Sequence, residues 1–474
     1  MYSLSVKPLC SVIGLILLCV GSLAQGNKPD QPNIILILAD DMGYGDLGCY
    51  NPQSKIPTPN LDRMAREGIR FTDAHSGGPT CIPSRYALMT GRFASRKPMN
   101  FRNGPLIEPD RSTLASILRE SGYHTVMVGK WHLGFDPYLQ DTPVNIDFTQ
   151  EFFGGPLDCG FESFFGIHAS LDIQPYFYIR DRHAIAPPSQ PVNASPGKDE
   201  DQGWNDIQGP FWRKGWMSPN FDHHSVTPRF FEEASRVISD HQKKDSNQPL
   251  FLYLALPSPH TPWLPDEKYR GQSGAGSYGD FIVQIDELIG ELVKQVDQSS
   301  LGRNCLFLFS SDNGPVWYDR NIQQYGHRAS GPLNGMKFSE YEGGHRMPFL
   351  ARWPGYITGG KTSDHTIEFS DLLPTFAELA GFAKPGQKIS EDGYSFFPIL
   401  KGETSKSPRP AIVHTRNCIR EGKWKLIRKP DQKSNKTNYE LYDLQNDLGE
   451  RANLSDQYPK VVSQLTKKLD TLLQ

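Results

Sequence analysis

The sequence predicts an α/β protein: a large doubly wound sheet, mixed but mostly parallel and flanked by helices, followed by a smaller C-terminal α+β subdomain. Three observations carry this reading. Short unbroken apolar runs alternate with helical patterns, as expected of strands buried on both faces beneath covering helices. Each run passes at once into polar, chemistry-capable residues. The last hundred or so residues change to short antiparallel-type strands closed by an amphipathic segment.

The chain opens with a secretory signal. Lys7 precedes the apolar run 9–20, and Ser22-Leu23-Ala24 offers a small-residue cleavage site before Gln25. That run is short for a membrane span, and no later stretch is long and apolar enough for one. Leu18 before Cys19 is wrong for lipidation. The expected organisation is a signal peptide over 1–24, a main domain over 25–375 and a C-terminal subdomain over 376–474. The expected location is periplasmic or secreted, or lysosomal or extracellular in a eukaryote. The compact signal and few cysteines point to the bacterial periplasm.

Four strand runs are followed by reactive groups. Run 34–39 enters Asp40-Asp41, and run 124–128 enters Gly129-Lys130-Trp131-His132. Run 250–255 enters Pro257-Ser258-Pro259-His260, and run 305–309 enters Ser310-Ser311-Asp312-Asn313-Gly314. Helical patterns fall at 60–68, 113–121, 229–242 and 278–297. Doubly wound sheets bind ligands outside the carboxyl ends of their strands, so these polar residues are expected in one crevice. Residues 187–216, rich in Pro, Gly, Asp and Trp without periodicity, read as a long surface insertion. Beyond it, 411–415, 419–428 and 439–444 read as short antiparallel strands. A closing helix over 460–473 carries Val461, Leu465, Leu469 and Leu472 along one face.

A formal net charge of −3 gives no general attraction to nucleic acid or to an anionic membrane. An anionic substrate must therefore be held by local cations. Of seven cysteines, Cys10 and Cys19 belong to the signal, which leaves Cys49, Cys81, Cys159, Cys305 and Cys418, an odd number in an exported chain. Cys81 apart, the remaining four are compatible with free thiols or with pairing. The chain is not disulfide-dense, so stability comes from its core.

Asp40, Asp41, Asp312 and Asn313 supply hard oxygen ligands from two strand ends. Asp is common in turns as well, but three carboxylates brought together repel one another and need a cation. An all-oxygen site suits Ca²⁺ or Mg²⁺ better than zinc. In Cys81-Ile82-Pro83-Ser84-Arg85, proline suits the first turn of a helix continuing over 86–91. A helix N-terminus there would aim N–H groups at an anion, sulfate or phosphate alike. Lys130, His132, His260 and Lys337 add cations and proton carriers. Such residues are usually structural or solvated when alone. Here they follow buried strands or, for Lys337, precede Tyr341-Glu342-Gly343-Gly344.

Taken together, these motifs resemble the type I, formylglycine-dependent sulfatases of the alkaline phosphatase superfamily, and most closely the arylsulfatase A-like and N-acetylgalactosamine-6-sulfatase-like members. The resemblance begins at Pro32-Asn33-Ile34 and Asp40-Asp41-Met42-Gly43-Tyr44-Gly45-Asp46, then takes in Thr58-Pro59-Asn60-Leu61-Asp62 and the Cys81 motif. It continues in order to Ser370-Asp371-Leu372-Leu373-Pro374-Thr375, Gly422-Lys423-Trp424-Lys425-Leu426 and Leu441-Tyr442-Asp443-Leu444, so most of the mature chain is covered.

The resemblance implies that a formylglycine-generating or anaerobic sulfatase-maturing enzyme oxidises Cys81 to formylglycine (3-oxoalanine), whose hydrate is the nucleophile. Asp40, Asp41, Asp312 and Asn313, with the modified Cys81, would bind Ca²⁺, or alternatively Mg²⁺. Arg85 would hold the hydrate. His260 would protonate the leaving oxygen and His132 would deprotonate the hydrate's second hydroxyl. Lys130 and Lys337 would bind sulfate oxygens together with His260, and Ser170 aligns with a polar site residue. The implied activity is exo-acting hydrolysis of a carbohydrate sulfate, with an aryl sulfate as the other substrate class.

Sugar recognition would fall to Tyr176, Tyr178, Arg180, Arg182, His183, Trp212, Arg213, Trp216, His223 and His224, which suit packing equally well. Two rivals come from the same superfamily scaffold. One is a phosphodiesterase or phosphonate monoester hydrolase, against which the oxygen-only ligand set with Asn313 argues. The other is a catalytically dead glycan-binding protein, against which the intact Cys81, Arg85 and metal ligands argue.

Overall fold

The computed structural model describes residues 1–2, 31–99, 104–139, 146–196, 207–244, 247–382, 389–403, 409–430 and 436–474. Residues 3–24 of the expected signal, with Cys10 and Cys19, therefore lie outside the described residues. The main sheet begins with β1 Asn33–Asp40, β2 Ile69–His75, β3 His124–Lys130, β4 Ser163–Ile167, β5 Ile179–Arg180 and β6 His183–Ala184. The insertion adds β7 Gln190–Val192, β8 Ser195–Pro196, β9 Phe211–Trp212 and β10 Gly215–Met217. The sheet is completed by β11 Leu250–Pro259, β12 Cys305–Ser311, β13 Arg346–Arg352, β14 Lys361–Ser363 and β15 Ile367–Glu368. A second sheet holds β16 Ile412–Thr415, β17 Cys418–Glu421, β18 Trp424–Pro430 and β19 Thr437–Asp443.

The helices are α1 Pro59–Glu67, α2 Cys81–Thr90, α3 Leu114–Glu120, α4 Val226–Lys243 and α5 Gly276–Asp297. They continue with α6 Asp319–Tyr325, α7 Glu342–His345, α8 Leu372–Leu379, α9 Phe397–Leu400 and α10 Pro459–Leu472.

Strand order in the main sheet is β14-β2-β13-β12-β1-β11-β3-β4-β5-β6, with β15 also beside β2. Strands β12, β1, β11, β3 and β4 run parallel. β13 is antiparallel to both of its neighbours, and β5 and β6 reverse at the other edge. This is the mixed, mostly parallel sheet that the alternating pattern predicts.

The apolar runs follow from burial on both faces. In β1, Ile34, Leu36 and Leu38 enter one core with Tyr86 of α2, Leu114 of α3 and Phe376 of α8. Ile35, Ile37 and Ala39 enter the other core with Leu61 of α1, Phe230 of α4 and Ile285 of α5. Each buried Ile, Leu or Phe side chain contributes ~1.5–3 kcal/mol. A polar residue at Ile35 or Leu36 would leave an unpaired group between sheet and helices.

Register brings the strand ends level. Ala39 lies opposite Ser311 on β12, and Lys130 lies opposite Ile167 on β4. On β11 the pairing shifts between Leu38 and Asp40, which sets Asp40 opposite Pro259. A bulge of this kind re-aims the residues that follow it, and His260 comes next.

In the second sheet, 419–428 is two strands where the sequence reads as one. Gly422, at φ +55, turns the chain so that Glu421 pairs with Trp424. Apolar residues on both sides of the turn hide it from periodicity. Leu465 and Leu469 of α10 pack on Ile419, Leu426 and Leu441, with Val461 and Leu472 at the edge of the same cluster. The insertion is more ordered than its composition suggests, since β7 pairs with β10 and β8 with β9. Its residues 197–206 lie outside the described residues. Helix α8 spans residue 375, the expected domain boundary, and packs on the main core through Leu372 and Phe376.

Residues Gln31–Gln474 form one compact unit. Cys49, Cys81, Cys159, Cys305 and Cys418 are all free thiols. Among the described residues no helix is long and apolar enough to cross a membrane.

Candidate active site

β1 ends in Asp40, and Asp41 follows in the left-handed region at φ +64. That conformation strains most residues, but Asp tolerates it better than many. Two adjacent carboxylates thereby reach one point. Asp40, Asp41 and His260 offer ligand atoms within 4.8 Å of one another, and so do Asp40, Cys81 and Asp312. The backbone N–H of Asp312 donates to the Ala39 carbonyl at 3.0 Å, which ties the two strand ends together. Asn313 Nδ2 donates to Asp41 Oδ1 at 2.6 Å and to the Gly314 carbonyl at 2.9 Å.

Three buried cations face these acids. Arg85 donates through Nε at 3.0 Å and Nη2 at 2.8 Å to Asp312 Oδ2, and through Nη1 to the Lys130 carbonyl at 2.8 Å. Lys130 Nζ donates to Asp40 Oδ2, and Lys337 Nζ donates to Asp41 Oδ1 at 2.6 Å. Burial alone would raise the Asp40 carboxyl, but Lys130, His260, Arg85 and Lys337 hold it well below the usual carboxylate range. Asp312 moves the other way, pushed up to about 6 by burial and by the charge of Asp40 against the pull of Arg85.

Cys81 is the first residue of α2, which continues through Tyr86 to Thr90 with Gly91 as its C-cap. Pro83 sits in its first turn, where a missing N–H costs nothing. Burial pushes the Cys81 thiol up even though Lys130 and Lys337 lie nearby. An unmodified thiol at this position is protonated near neutral pH and is a poor nucleophile.

Two imidazoles stand beside the acids. His132, at φ +62 two residues beyond the end of β3, donates its backbone N–H to the His168 carbonyl at 3.0 Å. Burial, then Lys130 and Arg85, drive its pKa well below the ordinary value, so it is neutral and able to accept a proton. His260 Nδ1 lies 2.8 Å from the Thr261 carbonyl oxygen and Nε2 lies 3.7 Å from Asp41 Oδ2. The Ser170 hydroxyl is buried without a hydrogen-bond partner, on the segment that passes His132.

The structure thus assembles Asp40, Asp41, Cys81, Arg85, Lys130, His132, His260, Asp312, Asn313 and Lys337 at one end of the sheet. Sequence reasoning missed Asp172, the group through which Arg213, one of the sugar-recognition candidates, reaches His260. Asp172 Oδ1 lies 4.0 Å from His260 Nδ1, and Arg213 Nη1 donates to Asp172 Oδ2. An isolated Asp two residues after Ser170 carries no motif, and the only available signal was its closeness to that segment.

The residues set aside for sugar recognition divide. Tyr178 is core, stacked on Phe165. Arg180 and Arg182 pair with Glu233 at 2.8 Å and Asp158 at 2.7 Å, and His183 is exposed beside Glu151. Tyr176 is buried and donates its hydroxyl to the Arg213 carbonyl at 2.7 Å, while Trp212 stacks on His223. Trp216 is half-buried in β10 and His224 is exposed. Arg213 touches the carboxylate that contacts His260, and the Tyr176 hydroxyl lies 3.2 Å from the carbonyl of the same Asp172.

The donor set fits a hard divalent cation. Asp40 Oδ1 and Asn313 Oδ1 are buried oxygens without a hydrogen-bond partner, and two carboxylates beside them complete an oxygen-rich centre of the kind Ca²⁺ or Mg²⁺ takes. Asp40, Asp41 and Asp312 are balanced in charge by Arg85, Lys130 and Lys337. A divalent cation would make the centre positive and ready for an anion.

Comparison with known proteins agrees with this geometry. The Sulfatase family model matches residues 32–382, and the model described as N-sulphoglucosamine sulphohydrolase, C-terminal, matches residues 336–474. The chain is 31% identical to an N-acetylgalactosamine-6-O-sulfatase of Bacteroides thetaiotaomicron, over 98% of each protein. It is 36% identical to arylsulfatase A of Homo sapiens, over 80% of this chain and 70% of that protein. A solved structure from the glycosaminoglycan-metabolism locus of Bacteroides thetaiotaomicron superposes with a TM-score of 0.79 at 30% identity, covering 94% of this chain and 100% of that one. With a family match over most of its length and a relative 31% identical over nearly all of it, the chain belongs to the sulfatase family, as a type I sulfuric ester hydrolase of the alkaline phosphatase superfamily.

Proposed function

We propose that this sulfatase removes sulfate from a terminal residue of a carbohydrate, using Cys81 matured to formylglycine, and that it is exported through its N-terminal signal. The observation that carries the reading is the placement of Cys81 at the first turn of α2, with Sγ within 4.8 Å of ligand oxygens from both Asp40 and Asp312. The names of the similar proteins support a carbohydrate sulfate as substrate. The deep burial of Asp40, Lys130, His132, His260 and Lys337, none more than 6% exposed, suits a small end-on group better than the middle of a polymer.

Asp40, Asp41, Asp312 and Asn313, together with position 81, would hold Ca²⁺ or Mg²⁺, which when bound supplies positive charge to the sulfate and the nucleophile. Formylglycine at position 81 supplies a hydrated aldehyde in place of an unreactive thiol. Lys130 and Lys337 bring ammonium groups to the sulfate oxygens and offset charge that grows in the transition state. Arg85, locked on Asp312, orients position 81 from within the same helix. His260 would give a proton to the departing sugar oxygen, and neutral His132 would accept one at position 81. Ser170 offers a hydroxyl to the bound group.

The test is inorganic sulfate and phosphate release from sulfated saccharides, an aryl sulfate and the matching phosphate esters. The protein used must show formylglycine at position 81 by peptide mass. Sulfate release from a saccharide, lost in a folded Cys81→Ala variant, is the expected result. Phosphate release alone would move the chain to the phosphoesterase reading, and no release from matured protein would favour glycan binding without turnover.

A further inference from the structure

His75 ends β2, His345 ends α7 and His414 lies in β16. All three are buried, at 0%, 0% and 2% exposure, and each offers a ring nitrogen within 4.8 Å of the others. The sulfatase chemistry uses none of them.

The surrounding acceptors assign two of the tautomers. His75 Nε2 lies 2.8 Å from Asp73 Oδ1, and His345 Nε2 lies 3.0 Å from the Glu340 carbonyl oxygen. A carboxylate and a carbonyl only accept, so both rings carry their proton on Nε2. Arg420 and Lys425 approach the same nitrogens at 3.0 and 3.2 Å, but each has carboxylate acceptors of its own. Arg420 donates to both oxygens of Asp73, and Lys425 donates to Glu342 and pairs with Glu450. The Nδ1 atoms of His75 and His345 therefore face each other as lone pairs 3.1 Å apart, an arrangement that calls for a cation between them.

Burial drives all three imidazoles toward the neutral form, which favours a metal ion over a shared proton. Two nitrogens each ~2.0–2.1 Å from a tetrahedral zinc ion stand roughly 3.3 Å apart, close to the observed separation. Outward N–H groups on a carboxylate and a carbonyl are the usual support for metal-bound imidazoles. Independently, His414 has no hydrogen-bond partner on either ring nitrogen despite its burial. Its ring stacks on His345 with centroids 3.6 Å apart, so ligation requires it to turn about its side-chain bonds. The charges around the three rings balance, with Asp73, Glu342 and Glu450 set against Arg346, Arg420 and Lys425.

We propose that His75, His345 and His414 form a structural site for a borderline transition ion, Zn²⁺, which ties the C-terminal sheet to the end of β2 and to α7. All-nitrogen ligation separates this site from the oxygen-rich centre at Asp40.

The test uses the full-length chain without an affinity tag, loaded with Zn²⁺, dialysed and submitted to elemental analysis. About one zinc per chain is expected, and Co²⁺ loading should give visible absorption bands. His414→Ala and His345→Gln should lose both signals. Wild-type protein with neither zinc nor cobalt bands overturns the proposal without recourse to any variant. Unchanged zinc in a folded His414→Ala protein overturns it as well.

Discussion

Lys337 and Asp41, 296 positions apart in the chain, meet with Nζ 2.6 Å from Oδ1, and both side chains are nearly inaccessible. Burial alone would favour loss of the ammonium proton. Asp41, with Cys81 and Asp40, reverses this and holds the Lys337 pKa above its ordinary value. A permanent positive charge is thereby fixed beside the end of β1. The segment that carries Lys337 is itself anchored, since its backbone N–H donates to the Pro315 carbonyl at 3.0 Å.

Replacing Lys337 by Ala should lower kcat/KM for sulfate release by roughly 10²–10³-fold, the usual cost of removing one donor from a developing oxyanion. Lys337→Arg should recover part of the loss. Steady-state kinetics on the matured enzyme decide it, and a drop of less than tenfold would confine Lys337 to a structural role.

Arg85→Ala strips Asp312 of two hydrogen bonds in a fully buried setting. In metal-depleted protein this should cost about 3–5 kcal/mol, because the remaining charge has no partner. Combining it with Asp312→Asn should restore a measurable part of that stability. Denaturant unfolding of the two single variants and the double variant gives the coupling directly. Strict additivity would remove the pair from the account.

Arg213 reaches the site through Asp172, yet its side chain remains half exposed. Such a guanidinium is placed to read hydroxyl or anionic groups of a bound sugar. Arg213→Ala should therefore raise KM for saccharide sulfates while leaving a small aryl sulfate nearly unaffected. Equal losses on both substrates would sink the idea.

Asp286 on α5 accepts hydrogen bonds from the Asn60 and Leu61 backbone N–H groups at 3.0 and 2.8 Å, and so covers the start of α1. Burial nevertheless pushes its carboxyl up to about 6 from 3.8. A carboxyl raised in the fold binds its proton more readily there than in the unfolded chain. Stability from this group is therefore greatest below about pH 4 and falls as pH rises to about 6, by an amount on the order of 3 kcal/mol. Unfolding midpoints measured from pH 4 to pH 7 should show Asp286→Asn lacking this component. Parallel profiles for the two proteins would falsify the assignment.

The ligand residues were legible because each follows a run that can only be a strand buried on both faces. Asp40 follows Ala39, Asp312 follows Ser311, and Lys130 is the last residue of its own strand. Doubly wound topology then requires those ends to lie together. Asp172 and Arg213 had no such support, since one sits in a loop after β4 and the other between two short ribbons of the insertion. The turn at Gly422 was hidden for a related reason. Apolar residues continue on both sides of it, and only cross-strand pairing of Glu421 with Trp424 exposes the reversal.

By itself the sequence determined the sheet, its helical cover and the identity of the groups at its carboxyl edge. Burial of apolar side chains on two faces acts locally and leaves a readable period in the chain. Only the tertiary structure decided how far those groups stand from one another. The register shift opposite Asp40, the 3.7 Å approach of His260 to Asp41 and the gathering of His75, His345 and His414 all depend on pairing between distant segments. Such pairing is set by the packing of the whole core, and no local pattern records it.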